Sequence, residues 1–481
     1  MLSVVTAANL YGNTIINPIN SANYHSLRSG LRNSLIQFKS KKTGRVAFLG
    51  GSITYNGGWR DSISNYLKAQ FPTTTFEFIN AGIPSMGSTP AAFRMERDVL
   101  SKGKIDLLFE EAVVNDGLSG NKFSKIEQIR AMEGIARHAI TANPQMDIVF
   151  MYFADPSNIS DYNNNKTPDV IANHDLVAQT YSISSINLAK EVNDRINNGE
   201  FTWADDFKNL HPSPFGQGIY YRSIKCLLDS AWKDTATLNE LMTSRILPTK
   251  IDKDCYDSGY LVDISKAEPN TNWLLNPKWT PNDGKSTRPD YTNVPMLIGE
   301  TPDAILTFNF NGKAVGISTA SGPDAGIVST SIDGGPWIAK DLFTSWSSGL
   351  HLPWYFTLYS TLDDGNHSLR LKMLSSKNSS STGTVCRIRY FFVSGTQFVN
   401  TYNSEKKNNP ISIYSPAKGE LLVLSNSDSP FSYTVFDRKG VVCAQNLECI
   451  NNDYIRIPKN EIYFVEVFLN NTRSGNKIVV K

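Results

Sequence analysis

The stretch VAFLGGSIT, residues 46–54, decides the fold of the first half of this chain. Its apolar run is typical of a buried strand, and two glycines end that run directly before Ser52. A polar, glycine-containing segment then leads into a helical pattern, WRDSISNYLKAQF. A buried strand that ends on a hydroxyl has two explanations: the glycines simply turn the chain, or they hold Ser52 where it can react.

Apolar runs and helical patterns alternate from this stretch to about residue 235. After RVAFLGG the chain continues with SISNYLKAQF, FEFINAG, DLLFEEAVVND, KIEQIRAMEGIARHAITANP and DIVFMYF. Strands that alternate with helices at this spacing form a parallel sheet that is covered by helices on both faces. The sequence therefore predicts an α/β domain over residues 41–235.

The composition argues against several classes of protein. The chain has 481 residues, of which 40% are hydrophobic, so it can bury substantial cores and is long enough for two or three domains. It lacks an apolar run of about 18 residues, so no membrane span is predicted. Lysine and arginine number 47 against 45 acidic residues, which argues against nucleic-acid binding. The five cysteines are scattered without metal-site spacing, so we predict neither a metal site nor a cofactor.

Three residues that could form a functional site follow the first three predicted strands. Strand one ends at Ser52, strand two reaches Gly82 in NAGIPSMGS, and strand three ends at Asn115 in VVND. The carboxyl ends of parallel strands meet at one edge of a sheet, where ligands bind, so these residues should converge on one crevice. Further along, His211 lies in HPSPFGQG directly before another helix and is expected at the same rim.

These four segments, in this order, resemble the SGNH (GDSL-type) hydrolase family. GGSIT matches the nucleophile block, NAGIPSMGS the glycine block, VVND the asparagine block and LHPSPFGQG the histidine block, over residues 45–232. The resemblance implies a flavodoxin-like sheet and a serine nucleophile, Ser52, with His211 as its base. It also assigns the oxyanion hole to the backbone N–H groups of Ser52 and Gly82 and to the side-chain amide of Asn115.

One position departs from the family pattern. The family carries an aspartate three residues before the histidine, and this chain has Lys208 there. The nearby acids are Asp205 and Asp206 in WADDFKNLHPS. We predict that a loop with extra residues brings Asp206 to the His211 ring. Without that contact the enzyme would work as a Ser-His dyad, and the two aspartates would form a solvated turn.

Two pairs of residues near the motifs have more than one interpretation. Trp59 and Arg60, shortly after the nucleophile, are candidates for the substrate cleft, although core packing explains the tryptophan equally well. Glu110 and Glu111 interrupt an otherwise apolar strand. One of them is expected to be buried and hydrogen-bonded as part of the scaffold, because a buried carboxyl group needs partners.

The composition changes twice beyond the α/β pattern. Residues 236–265 are a connector of mixed composition, and residues 266–398 contain short strand-like runs separated by turns such as DGGP, which is typical of a β-sandwich. Residues 405–481 form a last, small all-β unit with GELLVL, YTVFDRKG, DYIRI and IYFVEVF. The sandwich resembles the accessory domains of exported carbohydrate-active esterases, and the last unit resembles the carboxy-terminal sorting domain of type IX secretion.

Both ends of the chain favour an exported bacterial protein. Residues 1–40 are an amino-terminal segment whose opening, MLSVVTAANLYGN, resembles the end of a secretory signal peptide. A sorting-like terminal unit implies contact with a secretion machinery. The expected location is therefore secreted, periplasmic or on the cell surface.

The combined expectation is a serine esterase that deacylates, above all deacetylates, a polysaccharide or oligosaccharide. A lipid-directed acylhydrolase is the alternative within enzymes, but the sequence contains no long apolar lid segment to shield an acyl chain. A third interpretation is a carbohydrate-binding protein whose SGNH-like domain has lost its activity. The lysine at position 208 is the best support for that interpretation.

Overall fold

The computed structural model describes most of the chain in two compact units, Met1–Phe398 and Val399–Lys481. The signal-peptide resemblance of residues 1–13 falls outside the described part. The described residues are 17–117, 123–233, 240–269, 272–395, 411–414, 420–425, 431–437, 441–449, 453–456, 462–469 and 472–479.

A six-stranded sheet forms the centre of the α/β domain. Its strands are β1 (His25–Ser26), β2 (Thr43–Gly50), β3 (Thr75–Gly82), β4 (Leu107–Glu110), β5 (Asp147–Met151) and β6 (Ser184–Ile186). They lie in the order β1-β6-β5-β4-β2-β3, with β2 to β6 parallel and β1 antiparallel to β6. The parallel strands alone follow the flavodoxin-like order, so the predicted fold class is confirmed.

Helices lie between the parallel strands in sequence and also precede the first and follow the last of them. They are α1 (Arg32–Ile36), α2 (Ser52–Tyr55), α3 (Trp59–Gln70), α4 (Ser88–Asp98), α5 (Val113–Gly117), α6 (Lys125–Ala142), α7 (Pro156–Asn163), α8 (Asp169–Thr180), α9 (Leu188–Asn197) and α10 (Pro214–Ala231). Local sequence explains where several of them begin. Helix α10 starts with Pro214 after Ser213, whose hydroxyl accepts from the backbone N–H of Gly216.

The third parallel strand, β4, is shorter than the sequence predicted. It ends at Glu110, and the N–H of Glu111 makes one more bond, 3.1 Å to the carbonyl of Leu49. The chain then turns into the short helix α5, so Asn115 lies on a helix and not at the end of a strand. Alternating sequence patterns do not reveal this turn, because Val113 and Val114 are as apolar as strand residues.

The amino-terminal segment and the connector both pack on the α/β domain. The Ser21 hydroxyl donates to Glu191, and Arg32 forms an ion pair with Glu240 at 2.6 Å. The backbone N–H groups of Ile251 and Asp252 both donate to the carboxylate of Glu133 on α6. These contacts make residues on either side of the predicted domain part of the same compact unit.

A β-sandwich follows, starting with a strand that lies inside the predicted connector. Its strands are β7 (Gly259–Asp263), β8 (Glu268–Pro269), β9 (Trp273–Trp279), β10 (Ser286–Thr287), β11 (Val294–Gly299), β12 (Ile305–Gly312), β13 (Ala314–Ser321), β14 (Ile327–Ile332), β15 (Ile338–Asp341), β16 (Leu350–Tyr359), β17 (Gly365–Met373) and β18 (Cys386–Ser394). One sheet has the order β10-β16-β13-β18-β11-β9 with β7 also paired to β18, and the other β15-β14-β17-β12-β8. Phe308 and Phe391 stack between the sheets with ring centroids 4.1 Å apart.

The seven-stranded sheet shares a hydrophobic core with the α/β domain. Phe93 on α4 lies 4.5 Å from Phe392 on β18 and 4.8 Å from Tyr256, measured between ring centroids. The hydroxyls of Tyr256 and Thr357 both donate to the carboxylate of Glu127 on α6. The sandwich therefore covers apolar surface of the α/β domain.

The last compact unit contains only strands among its described residues. They are β19 (Ile411–Tyr414), β20 (Glu420–Ser425), β21 (Phe431–Phe436), β22 (Val442–Cys449), β23 (Asp453–Arg456), β24 (Ile462–Leu469) and β25 (Thr472–Val479). They form two antiparallel sheets, β19-β20-β23 and β22-β21-β24-β25. Its function as a sorting domain stays a prediction. Within the described parts of the chain, no helix is long and apolar enough to cross a membrane.

Candidate active site

Ser52 and His211 meet at the carboxyl edge of the parallel sheet. Ser52 is the first residue of α2 and is separated from the end of β2 by Gly51, and His211 lies in the loop before α10. The Oγ atom of Ser52 lies 2.7 Å from Nε2 of His211. With a neutral ring that accepts at Nε2, this hydrogen bond is the geometry in which a base takes the proton of a serine nucleophile.

A buried carboxyl group holds the loop that carries Ser52. The backbone N–H of Gly51 donates to Oε1 of Glu111 at 2.7 Å, and the hydroxyl of Thr54 donates to the same oxygen at 3.0 Å. Glu111 is almost completely buried, and this burial raises the pKa of its carboxyl group to about 7. Glu111 thus accepts hydrogen bonds from the residue before Ser52 and from a residue two positions after it, and these bonds fix the loop that carries the nucleophile.

Gly51 is required by the close approach of Asn115. A Cβ atom at position 51 would lie 2.2 Å from the side-chain nitrogen of Asn115, so a residue with a side chain there would displace the Asn115 amide. The Asn115 amide also donates to the carbonyl of Met86 at 3.1 Å. The glycine before Ser52 therefore brings a side-chain N–H donor next to the nucleophile, in addition to turning the chain.

The residue after Asn115 anchors its helix in the interior. Asp116 is fully buried, and one of its oxygens accepts from the backbone N–H of Ser88 at 2.9 Å. Its other oxygen lies 3.0 Å from Nε2 of His174 on α8. These bonds tie α5 to the beginning of α4 and to α8, so the helix that carries Asn115 is anchored on two other helices.

Gly82 does not supply the predicted oxyanion donor in this structure. Its backbone N–H donates to Oδ1 of Asn80 at 3.0 Å. A Cβ atom at position 82 would lie 2.5 Å from the backbone nitrogen of Tyr55. Gly82 therefore lets β3 pass close to α2. The turn that follows contains Ser85 in the left-handed region, with φ of +70°, and leads to Met86 beside the nucleophile loop.

Asp206 does not reach His211. Its carboxylate accepts from the backbone N–H of Thr202 at 2.8 Å, and the N–H of Asp205 donates to the Thr202 hydroxyl at 3.0 Å. Both acids belong to a π-helical turn, Trp203–Phe207, that they help to cap. Among the residues that the structure describes, no carboxylate forms an ion pair with His211, so the predicted contact with Asp206 is absent and Ser52 is the side chain hydrogen-bonded to the ring.

The electrostatic environment of His211 favours a neutral ring. Burial and the positive charge of Arg288 both lower the pKa of His211. Arg288 belongs to the sandwich, and its Nε atom donates to the Ser85 hydroxyl at 3.2 Å. Neither Arg288 nor Ser85 was among the predicted site residues. Ser85 lies within the glycine block, whereas nothing in the sequence around Arg288 points to a site.

One of the two predicted cleft residues, Trp59, lies in the core and not in the cleft. Trp59 is fully buried in the core, with its ring 5.6 Å from the rings of both Phe48 and Phe153. Its assignment to the substrate cleft is therefore incorrect, and core packing explains it. Arg60 forms an ion pair with its neighbour Asp61 at 3.1 Å. In the described residues no group of three or more His, Cys, Asp or Glu side chains is arranged to hold a metal ion.

The sequence of the α/β domain matches a known family. Residues 48–219 match the model of the GDSL-like Lipase/Acylhydrolase family. This match confirms the predicted family of the domain and its class, carboxylic ester hydrolase. None of the curated proteins matches the chain significantly.

Two solved structures of a two-domain esterase active on acetylated mannans resemble the chain over most of its length. The complex with mannopentaose has 17% sequence identity and a TM-score of 0.62, and the match covers 79% of this chain and 99% of that one. The second structure has 18% identity, a TM-score of 0.63 and the same coverage. An acetylxylan esterase from Geobacillus stearothermophilus has 16% identity and a TM-score of 0.32, with coverage of 40% and 96%. At these identities the two-domain matches show the fold alone.

Proposed function

We propose that this chain, whose α/β domain belongs to the GDSL-like lipase/acylhydrolase family, is a serine esterase that removes acyl groups, above all acetyl, from a polysaccharide or oligosaccharide. The observation that carries the proposal is the 2.7 Å distance between the Ser52 hydroxyl and Nε2 of His211. This pair lies where parallel sheets bind their ligands.

The reaction proceeds in two steps. Ser52 attacks the acyl carbonyl carbon while its proton moves to Nε2 of His211, and the carbonyl oxygen becomes an oxyanion. When the ester bond breaks, His211 gives that proton to the departing sugar oxygen and an acyl-serine remains. Water then attacks the acyl-serine, again with proton transfer to His211, which releases the carboxylic acid and restores Ser52.

The oxyanion needs N–H donors that are in place before the reaction. Asn115 is supported in this role, because its amide lies against Gly51 and its helix is anchored on two sides. The backbone N–H of Ser52, at the start of α2, is the second donor we propose. The backbone N–H of Gly82 is not part of this proposed oxyanion hole, because it donates to the side chain of Asn80.

A saccharide substrate is supported by the fold that the chain shares with a two-domain esterase active on acetylated mannans. The likeness covers 79% of the chain and therefore extends beyond the α/β domain. Acetyl is the acyl group that we propose, because such a small group needs no apolar channel. A lipid substrate would need one to shelter a long chain.

The proposal is tested with p-nitrophenyl esters and with acetate release from acetylated glycans. The wild type should hydrolyse the acetate ester faster than longer esters, and Ser52→Ala should lose activity by roughly 10³-fold or more while it keeps its melting temperature. The exposed Ser101 provides a matched control, Ser101→Ala, that should behave as wild type. An inactive wild type that still binds acetylated glycans would favour the carbohydrate-binding interpretation, and a preference for long acyl chains would favour a lipase.

A further inference from the structure

An arginine of the sandwich reaches the active site of the α/β domain. Arg288 follows β10, and its Nε atom donates to the Ser85 hydroxyl at 3.2 Å. Ser85 directly precedes Met86, whose carbonyl accepts from the Asn115 amide at 3.1 Å. The guanidinium group therefore lies at the edge of the site, on the side of the proposed oxyanion donor.

The backbone around Arg288 is fixed on both sides. Before it, β10 pairs with β16, and the Thr287 hydroxyl donates to the carbonyl of His351 at 2.7 Å. After it, the backbone N–H of Tyr291 donates to the carbonyl of Arg288 at 3.2 Å. Tyr291 is buried, and its hydroxyl is hydrogen-bonded to Ser318. Arg288 is thus presented by a short, doubly anchored loop.

The charge of Arg288 lacks the carboxylate partner that Arg94 and Arg137 have. Arg94 pairs with Asp98 at 2.8 Å, and Arg137 pairs with Asp257 at 3.0 Å. Within the described ranges, Arg288 forms no ion pair with a carboxylate, and the nearest acid in sequence, Asp290, instead lies 3.9 Å from Arg97. Partial burial disfavours this unpaired charge and lowers the pKa of Arg288.

The geometry of the guanidinium group limits what can bind it. Its Nε donor is used by Ser85, which leaves the two terminal nitrogens at the end of the side chain. That end presents parallel N–H donors that fit the two oxygens of a carboxylate. A neutral sugar offers only hydroxyl groups, whereas a half-buried, uncompensated cation gains most from an anion.

We propose that Arg288 binds a carboxylate group of the substrate, so that the enzyme prefers acylated saccharides that contain uronic acids. The inference rests on the proposed esterase function and names the substrate class of that same site. It makes the sandwich a part of the active site that selects the substrate.

The first test compares two forms of one substrate with the wild-type enzyme. Acetate release is measured from a partially acetylated oligogalacturonide and from the same oligosaccharide with its carboxyl groups methyl-esterified. The free acid should have the higher kcat/KM, mainly through a lower KM, and added salt should reduce the difference because it screens the charges. Equal kcat/KM for both forms would overturn the proposal.

Substitution of Arg288 then tests which residue causes the preference. Arg288→Gln should lower kcat/KM for the free acid by roughly 10- to 100-fold relative to the methyl ester, the range expected for a lost charge-assisted pair. Arg288→Lys should keep part of the preference, and the exposed Arg222 provides the control Arg222→Gln, which should keep all of it. If the preference for the free acid survives Arg288→Gln, another residue causes that preference and the proposal is overturned.

Two outcomes separate this inference from the esterase proposal. If the wild type cleaves neither oligosaccharide nor p-nitrophenyl acetate, the esterase function fails and this inference fails with it. If Arg288→Gln lowers kcat equally for the free acid, the methyl ester and p-nitrophenyl acetate, Arg288 stabilises the oxyanion. That result would overturn carboxylate binding but leave the esterase function intact.

Discussion

Asn115 is held in place beside the nucleophile by contacts from several elements. Its amide lies against Gly51 and donates to the carbonyl of Met86, and the next residue, Asp116, is buried between α4 and α8. A donor that is fixed before the reaction stabilises the oxyanion without reorganisation. Such a donor acts mainly on the transition state and little on the bound ester.

Asn115→Ala should therefore lower kcat by roughly 10²- to 10³-fold with little change in KM. Steady-state kinetics with p-nitrophenyl acetate measures both constants. Asn143 provides a control, because its buried amide donates to the carbonyl of Ile105 away from the site. Asn143→Ala should lower stability but not kcat. A variant of Asn115 with raised KM and unchanged kcat would show that Asn115 binds the ester in its ground state.

Residues within sequence motifs could be predicted, and residues that depend on distant contacts could not. Ser52, Asn115 and His211 follow recognisable segments, and the structure brings Ser52 and His211 together. Arg288 reaches the site only because the sandwich packs against the α/β domain, and no local pattern in the sequence encodes that packing. The hydrogen bond from the Gly82 N–H could not be predicted from the sequence either, because it depends on the side-chain conformation of Asn80.

At the scale of elements, the π-helical turn Trp203–Phe207 explains why the predicted triad is incomplete. The Thr202 hydroxyl accepts from the backbone N–H of Asp205, and the Asp206 carboxylate accepts from the backbone N–H of Thr202, so the Asp206 carboxylate is used within the turn itself. Lys208 then adopts a left-handed φ of +83°, and the chain continues to His211. The sequence shows the two acids but not the helical type of the turn, which decides where their carboxylates point.

Asp206→Asn should leave kcat close to that of the wild type. The loss of a triad aspartate costs roughly 10⁴-fold in kcat, so the two models are easily separated. The pH profile gives a second measurement. Burial and Arg288 lower the pKa of His211, and the base must be neutral, so activity should persist below the ordinary histidine value of 6.5 in both proteins. A large loss in Asp206→Asn, with Asp205→Asn unaffected, would restore the predicted triad.

The strands of the sheet show which features the local sequence predicts and which it does not. The strands β2, β3 and β5 agree with the apolar runs that predicted them; β2 and β5 are mostly buried inside the sheet, whereas β3 lies at its edge and is buried only at its carboxyl end. The end of β4 differs, since the chain leaves the sheet after Glu111 and enters α5 although Val113 and Val114 continue the apolar run. Periodicity alone therefore predicted the sheet but not the helix that carries Asn115.

On the scale of the whole molecule, the sandwich and the α/β domain belong to one compact unit with a shared core. Phe93, Tyr256 and Phe392 join them in a single core, and Glu127 accepts hydrogen bonds from Tyr256 and from Thr357 of the sandwich. The last unit, Val399–Lys481, is compact by itself. A chain that ends at Phe398 should therefore fold and hydrolyse p-nitrophenyl acetate as the full chain does.

A chain that ends before Gly259 should behave differently from one that ends at Phe398. It lacks the sandwich, so the faces of α4 and α6 around Phe93 become exposed, and an apolar surface of this kind promotes aggregation. Within the full chain, Phe392→Ala provides a milder version of the same loss and should lower the free energy of unfolding by about 3–5 kcal/mol. Solubility, melting temperature and ester hydrolysis of the three proteins test this point. If the chain that ends before Gly259 is soluble, melts like the longer one and keeps its activity, the sandwich is an independent domain, and its contribution to the active site is limited to Arg288.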